Sequence, residues 1–289
     1  YYSMLNCAVN PQACKEGPNA YRPVLKPRKV MVVGGGVAGC EAARVLAIRG
    51  HKPVLFEKTG QIGGNLIPGG APSFKEDDIA LAKWYARQME LLGVEVHMNT
   101  EVTKEMVLAG GYDTVIIATG STPKVFKLGD DDKVYTAAEV LTGEKDPGNQ
   151  TVIVGGGLVG LELALDLAEK GKDVTVVEAL DKLLAVNGPI CSANKEMLLE
   201  LIPFKGVRTV CGAKVTGYKD GQLSYEKDGA AASIPADNVI LAVGYREEKS
   251  LYEQLQFEVP DIYLLGDAKN VSNIMYAIWD AFEVANHLD

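Results

Sequence analysis

The sequence predicts an α/β protein in which one βαβ unit occurs twice, and three observations carry that prediction. Val30 to Ala43 reads VMVVGGGVAGCEAA, and Thr151 to Ala164 reads TVIVGGGLVGLELA. A shift of 121 (155 − 34) superimposes Gly34, Gly36 and Gly39 on Gly155, Gly157 and Gly160, and also Glu41 on Glu162, Gly50 on Gly171 and Glu57 on Glu178. Each glycine cluster lies between a β-branched run and a stretch of helical spacing, the order that a parallel sheet with crossover helices requires. Glycine makes up 31 of 289 residues, a density suited to close backbone approach and positive φ.

The elements follow in order. The Pro-rich stretch from Pro11 to Pro27 reads as an extended lead-in. Lys29 to Val33 is a buried parallel strand, and Ala42, Val45, Leu46 and Arg49 mark the helix behind it, stopped at Gly50. A second strand, Val54 to Glu57, ends on an acid. Ser73-Phe74-Lys75-Glu76 has the pattern of a capping box, and Ile79, Ala82, Ala86, Met89 and Leu92 make the following helix amphipathic. Gly93 to Val102 alternates as a strand, and Thr114 to Ile117 is a buried strand leading to Ala118-Thr119-Gly120. The second copy runs from the strand Thr151 to Val154 through Leu163, Leu167 and Lys170 to Gly171, then Val174 to Glu178. Val239 to Val243 leads to Ala242-Val243-Gly244, a turn that admits either a cofactor or a domain crossover, as does Ala118-Thr119-Gly120. A strand closing on Gly266-Asp267 precedes a helix from about Asn273 to Leu288.

A GxGxxG turn between strand and helix brings backbone N–H groups and a helix amino terminus against a pyrophosphate, which a side chain would block. The acid at the end of the second strand suits the ribose hydroxyls, and it falls 18 residues after the third glycine in both copies (57 − 39 and 178 − 160). Such an acid disfavours a 2′-phosphate, and Ala179 and Leu180 offer no Arg to receive one, so NADH is expected over NADPH. The net charge of −9 argues against a nucleic-acid surface. No apolar run reaches the roughly 18 residues of a membrane span. Cys7, Cys14, Cys40, Cys191 and Cys211 form no CxxC pair, which suits free thiols in the cytoplasm. His51, His97 and His287 do not cluster, and no metal is expected. The amino terminus, Tyr1-Tyr2-Ser3-Met4, has no signal core and reads as trimmed.

Gly60-Gln61-Ile62-Gly63-Gly64-Asn65-Leu66, Ala118-Thr119-Gly120 and Leu264-Leu265-Gly266-Asp267 together resemble the two-dinucleotide-binding flavoproteins. That resemblance implies two Rossmann-like domains, with the NAD(H) domain (126–246) inserted in a split FAD domain (28–125 plus 247–289), after a lead-in at 1–27. It implies FAD contacts from Gly34, Gly36, Val37, Ala38 and Gly39, from Glu57 and Lys58, and from Gly63, Gly64 and Asn65. Val102 would touch the adenine through its backbone, Ala118, Thr119 and Gly120 would line the turn, and Gly266, Asp267 and Met275 would meet the flavin. Asp267 would take a hydrogen bond from the ribityl chain or simply cap the following helix. NAD(H) contacts would come from Gly155, Gly157, Gly160, Glu178 and Gly244. Glu162 is placed near the nicotinamide, or is a helix-surface charge complementing the helix amino terminus.

Disulfide-reducing relatives carry a redox CxxC or CxxxxC, which is absent here. Cys7-Ala8-Val9-Asn10-Pro11, with GGNLIPGG at Gly63 to Gly70, instead resembles the old-yellow-enzyme-like NADH:flavin oxidoreductases: 2-enoate reductase, 2,4-dienoyl-CoA reductase and trimethylamine dehydrogenase. Those enzymes place an FMN-bearing TIM barrel and a four-cysteine 4Fe-4S motif ahead of the two dinucleotide domains. Cys7 matches the fourth cluster ligand, and the chain is expected to be the carboxy-terminal portion. The expected activity is hydride transfer from NADH to FAD, the electron-input half of an enzyme reducing activated C=C bonds, with no side chain needed as catalytic acid or base. The alternatives are a module that holds ADP without redox activity, as in trimethylamine dehydrogenase, and a stand-alone NADH oxidase or diaphorase. Such enzymes are commonly oligomers.

Overall fold

The computed structural model describes residues 6–185 and 190–289. The reading of the amino terminus as trimmed falls on residues 1–5, outside the described residues. In chain order the strands are β1 (Lys29–Val33), β2 (Lys52–Phe56), β3 (Glu95–His97), β4 (Thr114–Ile117), β5 (Ser121–Pro123), β6 (Val134–Thr136), β7 (Gln150–Val154), β8 (Asp173–Val177), β9 (Arg208–Val210), β10 (Ala213–Lys219), β11 (Gln222–Lys227), β12 (Ala230–Pro235), β13 (Asn238–Leu241), β14 (Tyr245–Glu247) and β15 (Ile262–Leu264). The α-helices are α1 (Val37–Arg49), α2 (Leu66–Gly69), α3 (Glu76–Leu91), α4 (Lys104–Ala109), α5 (Ala137–Leu141), α6 (Leu158–Glu169), α7 (Ser192–Phe204), α8 (Ser250–Leu255) and α9 (Ile274–His287).

The chain divides into two compact units. The first comprises the chain up to Ile67 with Asp77–Thr122 and Glu247–Asp289, and the second comprises Pro68–Glu76 and Pro123–Arg246. Pro68–Glu76, which the sequence reading kept in the first segment, groups with the second unit.

In the first unit the strands lie in the order β15-β4-β1-β2-β3, all parallel. Parallel strands covered on both faces need continuous apolar runs, and Val30, Met31, Val32, Val115, Ile116 and Ile117 are all buried. One face packs Val30 and Val32 with Leu46 of α1, Tyr85 and Met89 of α3, and Phe282 of α9. The other packs Met31 and Val33 with Val107 of α4 and Leu255 of α8. Arg49, in the last turn of α1, donates to the carbonyls of Ala285 (2.8 Å) and Leu288 (2.6 Å), satisfying carbonyls that the end of α9 leaves without helical partners.

The second unit repeats the design with the parallel order β6-β13-β7-β8-β9. Its edge strand β6 precedes the central strand in sequence, whereas the matching edge of the first unit, β15, comes late in the chain. Ile153, Leu161, Val176, Leu198 and Ile202 build one face with α6 and α7. The other is covered by the antiparallel meander β10-β11-β12, through Tyr218 and Leu223 against Val152, Val154 and Val177.

Three local expectations differ from the structure. Ser73–Lys75 is a 3-10 turn capped by Pro72 without a side-chain bond, so Ser73 lies inside the helical turn and no capping box forms there. The T-x-x-E box is at Thr136 and Glu139, where each side chain bonds the other residue's backbone amide. Only Glu95–His97 of the predicted strand 93–102 pairs in the sheet, because the chain turns back at Asn99 (φ 53°). The lead-in is a run of turns through residue 19, with Asn19 Nδ2 bonded to the Pro11 carbonyl (2.9 Å).

Candidate nucleotide-binding sites

Both glycine turns are built alike. The first glycine has φ of +109° at Gly34 and +114° at Gly155, and a Cβ there would lie 2.3 Å from the Ala118 carbonyl oxygen or 2.4 Å from that of Ala242. The third glycine admits the helix against the turn, since a Cβ on Gly39 would lie 1.9 Å from the Gly34 oxygen, and one on Gly160 2.0 Å from the Gly155 oxygen. Neither α1 nor α6 has a side-chain cap at its N-cap residue, Gly36 or Gly157. The first-turn N–H groups, with those of Val37 and Ala38 in α1, therefore have no side-chain cap, the condition under which a helix terminus can take an anion.

The acids occupy matching places, with a role the motif does not show. The Glu57 Oε2 accepts the Gly35 amide (2.7 Å), and the Glu178 Oε2 accepts the Gly156 amide (2.5 Å). The middle glycine is constrained as well, though by side chains and not by backbone, because a Cβ on Gly35 would lie 3.0 Å from Glu57 Oε2, and one on Gly156 2.6 Å from Leu183 Cδ2 and 3.2 Å from Glu178 Cβ. The pattern GxGxxG leaves this position open, and the signal that could have found it is that both copies read GGG. The Glu57 Oε1 also takes the amide and hydroxyl of Thr59 (2.7 and 2.8 Å), and the Glu178 Oε1 takes the Leu180 amide (2.8 Å). A carboxylate accepts about four hydrogen bonds, so three are taken at Glu57 and two at Glu178, and both retain capacity for a sugar hydroxyl.

Gly63, Gly64 and Gly266 of the first unit converge on the same turn and the start of its helix. The Gly63 amide donates to the Gly35 carbonyl (2.9 Å), and a Cβ on Gly64 would lie 3.0 Å from the Gly36 Cα. The second unit repeats the bond from Leu184 to Gly156 (2.9 Å), again six residues after the acid (63 − 57 and 184 − 178). Gly266 (φ +60°) fits so close to α1 that its Cβ would lie 2.7 Å from the Ala38 Cβ, and its amide donates to Asp280 (3.0 Å). Asp267 accepts the Ser272 amide (3.0 Å) and the Ser121 hydroxyl (2.9 Å), and Asn65 reaches Ser121 (3.2 Å). It is Asn273 that caps α9, so capping is not the role of Asp267. Met275 is half-buried in the first turn of α9, Lys58 is exposed, and the Val102 side chain is in the core, leaving only its backbone to face a ligand.

Ala118-Thr119-Gly120 and Gly244 lie where the chain passes between the units. Within the first unit, Glu248 N donates to Gly120 O (2.9 Å) and the Thr119 hydroxyl bonds the Glu248 carbonyl. Within the second, Lys124 N donates to Gly244 O (2.9 Å). Glu162 lies half-buried near the start of α6. It pairs with Lys75 (3.1 Å), whereas its repeat counterpart Glu41 pairs with Arg44 on its own helix (2.8 Å) and accepts from Tyr85 (3.3 Å). Position 165, matching Arg44, is leucine, so the second copy draws its cation from elsewhere.

All five cysteines are free. Cys40 is fully buried, its Sγ 3.2 Å from the Gly35 carbonyl, and burial together with Glu57 and Glu41 pushes its thiol far above the usual range. The Cys7 carbonyl accepts the Trp279 indole N–H (3.1 Å). Among the described residues no cluster of three or more His, Cys, Asp or Glu could hold a metal, and no helix is long and apolar enough to cross a membrane.

Two glycine-turn sheets, one carried as an insertion in the other, define a two-dinucleotide-binding flavoprotein. The chain belongs to the pyridine nucleotide-disulphide oxidoreductase family, which matches residues 28–281. It is 45% identical over 287 residues to the cinnamate reductase of Clostridium sporogenes, covering 99% of this chain and 43% of that protein. It is 35% identical over 292 residues to the NADH oxidase of Thermoanaerobacter brockii, covering 97% of this chain and 44% of that one. A solved structure of 2-naphthoyl-CoA reductase in complex with 2-naphthoyl-CoA superimposes with a TM-score of 0.91 at 28% identity, over 99% of this chain and 44% of its own. The chain therefore spans less than half the length of these relatives. They bear out the likeness to the carboxy-terminal portion of enzymes of the enoate-reductase type.

Proposed function

We propose that this chain is the electron-input portion of a longer enoate-reductase-like enzyme, taking FAD in the first unit and NADH in the second. The observation that carries the proposal is the repeated bond from the middle glycine amide to the strand-end acid, at Gly35–Glu57 and Gly156–Glu178, inside turns that a Cβ would fill. Bound together, the two cofactors supply hydride transfer from NADH to FAD. The chain's own residues do the rest. The first-turn amides of α1 and α6 take the pyrophosphates, Glu57 and Glu178 fix the adenosine riboses, and Gly63, Gly64, Asn65, Gly266, Asp267 and Met275 shape the flavin end. Glu178 also disfavours the 2′-phosphate of NADPH. Glu162, held by Lys75, orients the nicotinamide end.

The parent enzyme carries FMN in a separate barrel and a 4Fe-4S cluster to which Cys7 gives one thiolate, in a reducing cytoplasm that suits the free cysteines. One thiolate does not hold a four-iron cluster, so the residues here do not fit that group by themselves, and the chemistry of this chain ends at the flavin. The test is titration of the cofactor-free chain with FAD, NADH and ADP. One FAD and one NADH per chain are expected. Binding of ADP without FAD would favour a nucleotide-holding module in place of a redox unit.

A further inference from the structure

We propose that Ser121 is a cofactor-positioning residue of the first unit, aiming Asp267 at the polyhydroxyl chain of the flavin; the inference rests on the assignment of FAD to that unit. Asn65, Ser121 and Asp267 are far apart in sequence and come together beyond the carboxyl ends of β2, β4 and β15. In open parallel sheets this is the end where ligands bind. No sequence motif connects the three, and Ser121 is the group through which the other two communicate.

The network has a direction. Asp267 as a carboxylate only accepts, and a hydroxyl has a single proton, so the Ser121 proton goes to Asp267 Oδ2 (2.9 Å). The Ser121 oxygen is then an acceptor, and Asn65 Nδ2 donates to it (3.2 Å) and to the Ser121 carbonyl (3.4 Å). Ser272 N holds the other carboxylate oxygen, Oδ1 (3.0 Å). The carboxylate is thereby fixed from both sides, and each oxygen keeps a lone pair for an incoming O–H donor. A polyhydroxyl chain is the donor class that such an acceptor pair recognises.

Two glycines fix the backbone on which this depends. Gly120 (φ +75°) turns the chain immediately before Ser121, and Gly266 (φ +60°) seats Asp267 beside Ala38 in the first turn of α1. The Asp267 carboxylate and the helix terminus proposed for the pyrophosphate are therefore parts of one local arrangement. Without the Ser121 hydroxyl, Asp267 loses a charge-assisted hydrogen bond and one side of its support.

The test uses the cofactor-free chain with Ser121→Ala and Ser121→Thr, measuring FAD affinity by fluorescence quenching, the inhibition constant of ADP against FAD, and the melting temperature. Ser121→Ala is expected to weaken FAD roughly tenfold, the loss of one hydrogen bond to a charged group. ADP, which has no ribityl chain, should compete as before, the melting point of the cofactor-free chain should hold, and Ser121→Thr should restore FAD binding. A Ser121→Ala chain that binds FAD like the wild type overturns the inference, as does equal weakening of FAD and ADP, the mark of a merely structural contact. Wild-type chain that binds no FAD overturns the flavin assignment and this inference with it, whereas tight wild-type binding with an unaffected variant removes this inference alone.

Discussion

Adding one methyl group at Gly160 should abolish NADH binding while leaving FAD in place, and the same change at Gly39 should do the reverse. The Cβ of alanine at 160 would lie 2.0 Å from the Gly155 carbonyl oxygen, against the 3.4 Å at which ordinary contact begins, so α6 must move off the turn by about 1.4 Å (3.4 − 2.0). The Cβ is fixed by the α6 backbone and the oxygen it meets is itself backbone, so no rotamer change relieves the clash. Overpacking of this kind costs roughly 1–3 kcal/mol, and the displaced helix no longer presents its first-turn amides at the pyrophosphate distance. Gly171→Ala is the control. Its φ of +80° gives a strained alanine costing about 1 kcal/mol, but a Cβ there meets nothing within 4 Å, so stability falls slightly and nucleotide binding persists. The assay is calorimetric titration of each variant with FAD and with NADH, beside thermal melts. Gly160→Ala binding NADH as tightly as Gly171→Ala does would refute the reasoning, because contact distance would then have no bearing on the site.

Three further outcomes follow from the same contacts. Glu178→Gln presents an amide in place of one carboxylate oxygen to the Gly156 and Leu180 amides, and should weaken NADH by about 1–3 kcal/mol and narrow the NADH-over-NADPH preference, measured as the ratio of the two dissociation constants. Arg49→Met removes the donor of the Ala285 and Arg22 carbonyls and one of the two donors of Leu288, and should cost roughly 3 kcal/mol, lowering the melting temperature by about 6 °C or more. His51 takes the Arg28 amide on Nδ1 (3.2 Å), so its Nε2 carries the proton to the Leu288 carbonyl (3.1 Å); burial, with Arg49 and Arg28, holds the imidazole below its usual range. The folded value lies below the unfolded value of about 6.5, so the His51 contribution is fully present above that pH and is lost as pH falls toward the folded value. His51→Asn should flatten that part of the melting-temperature profile, and an unchanged slope below pH 6.5 would contradict the assignment.

The sequence declared the repeat because glycine is needed where φ is positive or backbones nearly touch, and Gly34, Gly39, Gly155 and Gly160 meet those demands in both copies. The buried strands were readable for a similar reason: Val30–Val33 and Thr151–Val154 are covered on both faces and have little room for polar side chains. The meander was hidden. Ala230–Pro235 is small and mostly exposed, and a bulge between Val215 and Gly217 breaks the alternation of β10. The contact of Gly35 and Gly156 with the acids was hidden because it joins residues 22 apart, and Ser121 because its partners lie 56 and 146 residues away. The lysine partner of Glu162 was equally invisible, since nothing in the helix itself replaces the arginine found at position 44.

The central claim is that NADH in the second unit reduces FAD in the first, and the visible absorption of the FAD-loaded chain under anaerobic conditions tests it most directly. One equivalent of NADH should bleach the flavin band, with NADPH far slower. A yellow chain whose spectrum NADH leaves unchanged would contradict the account.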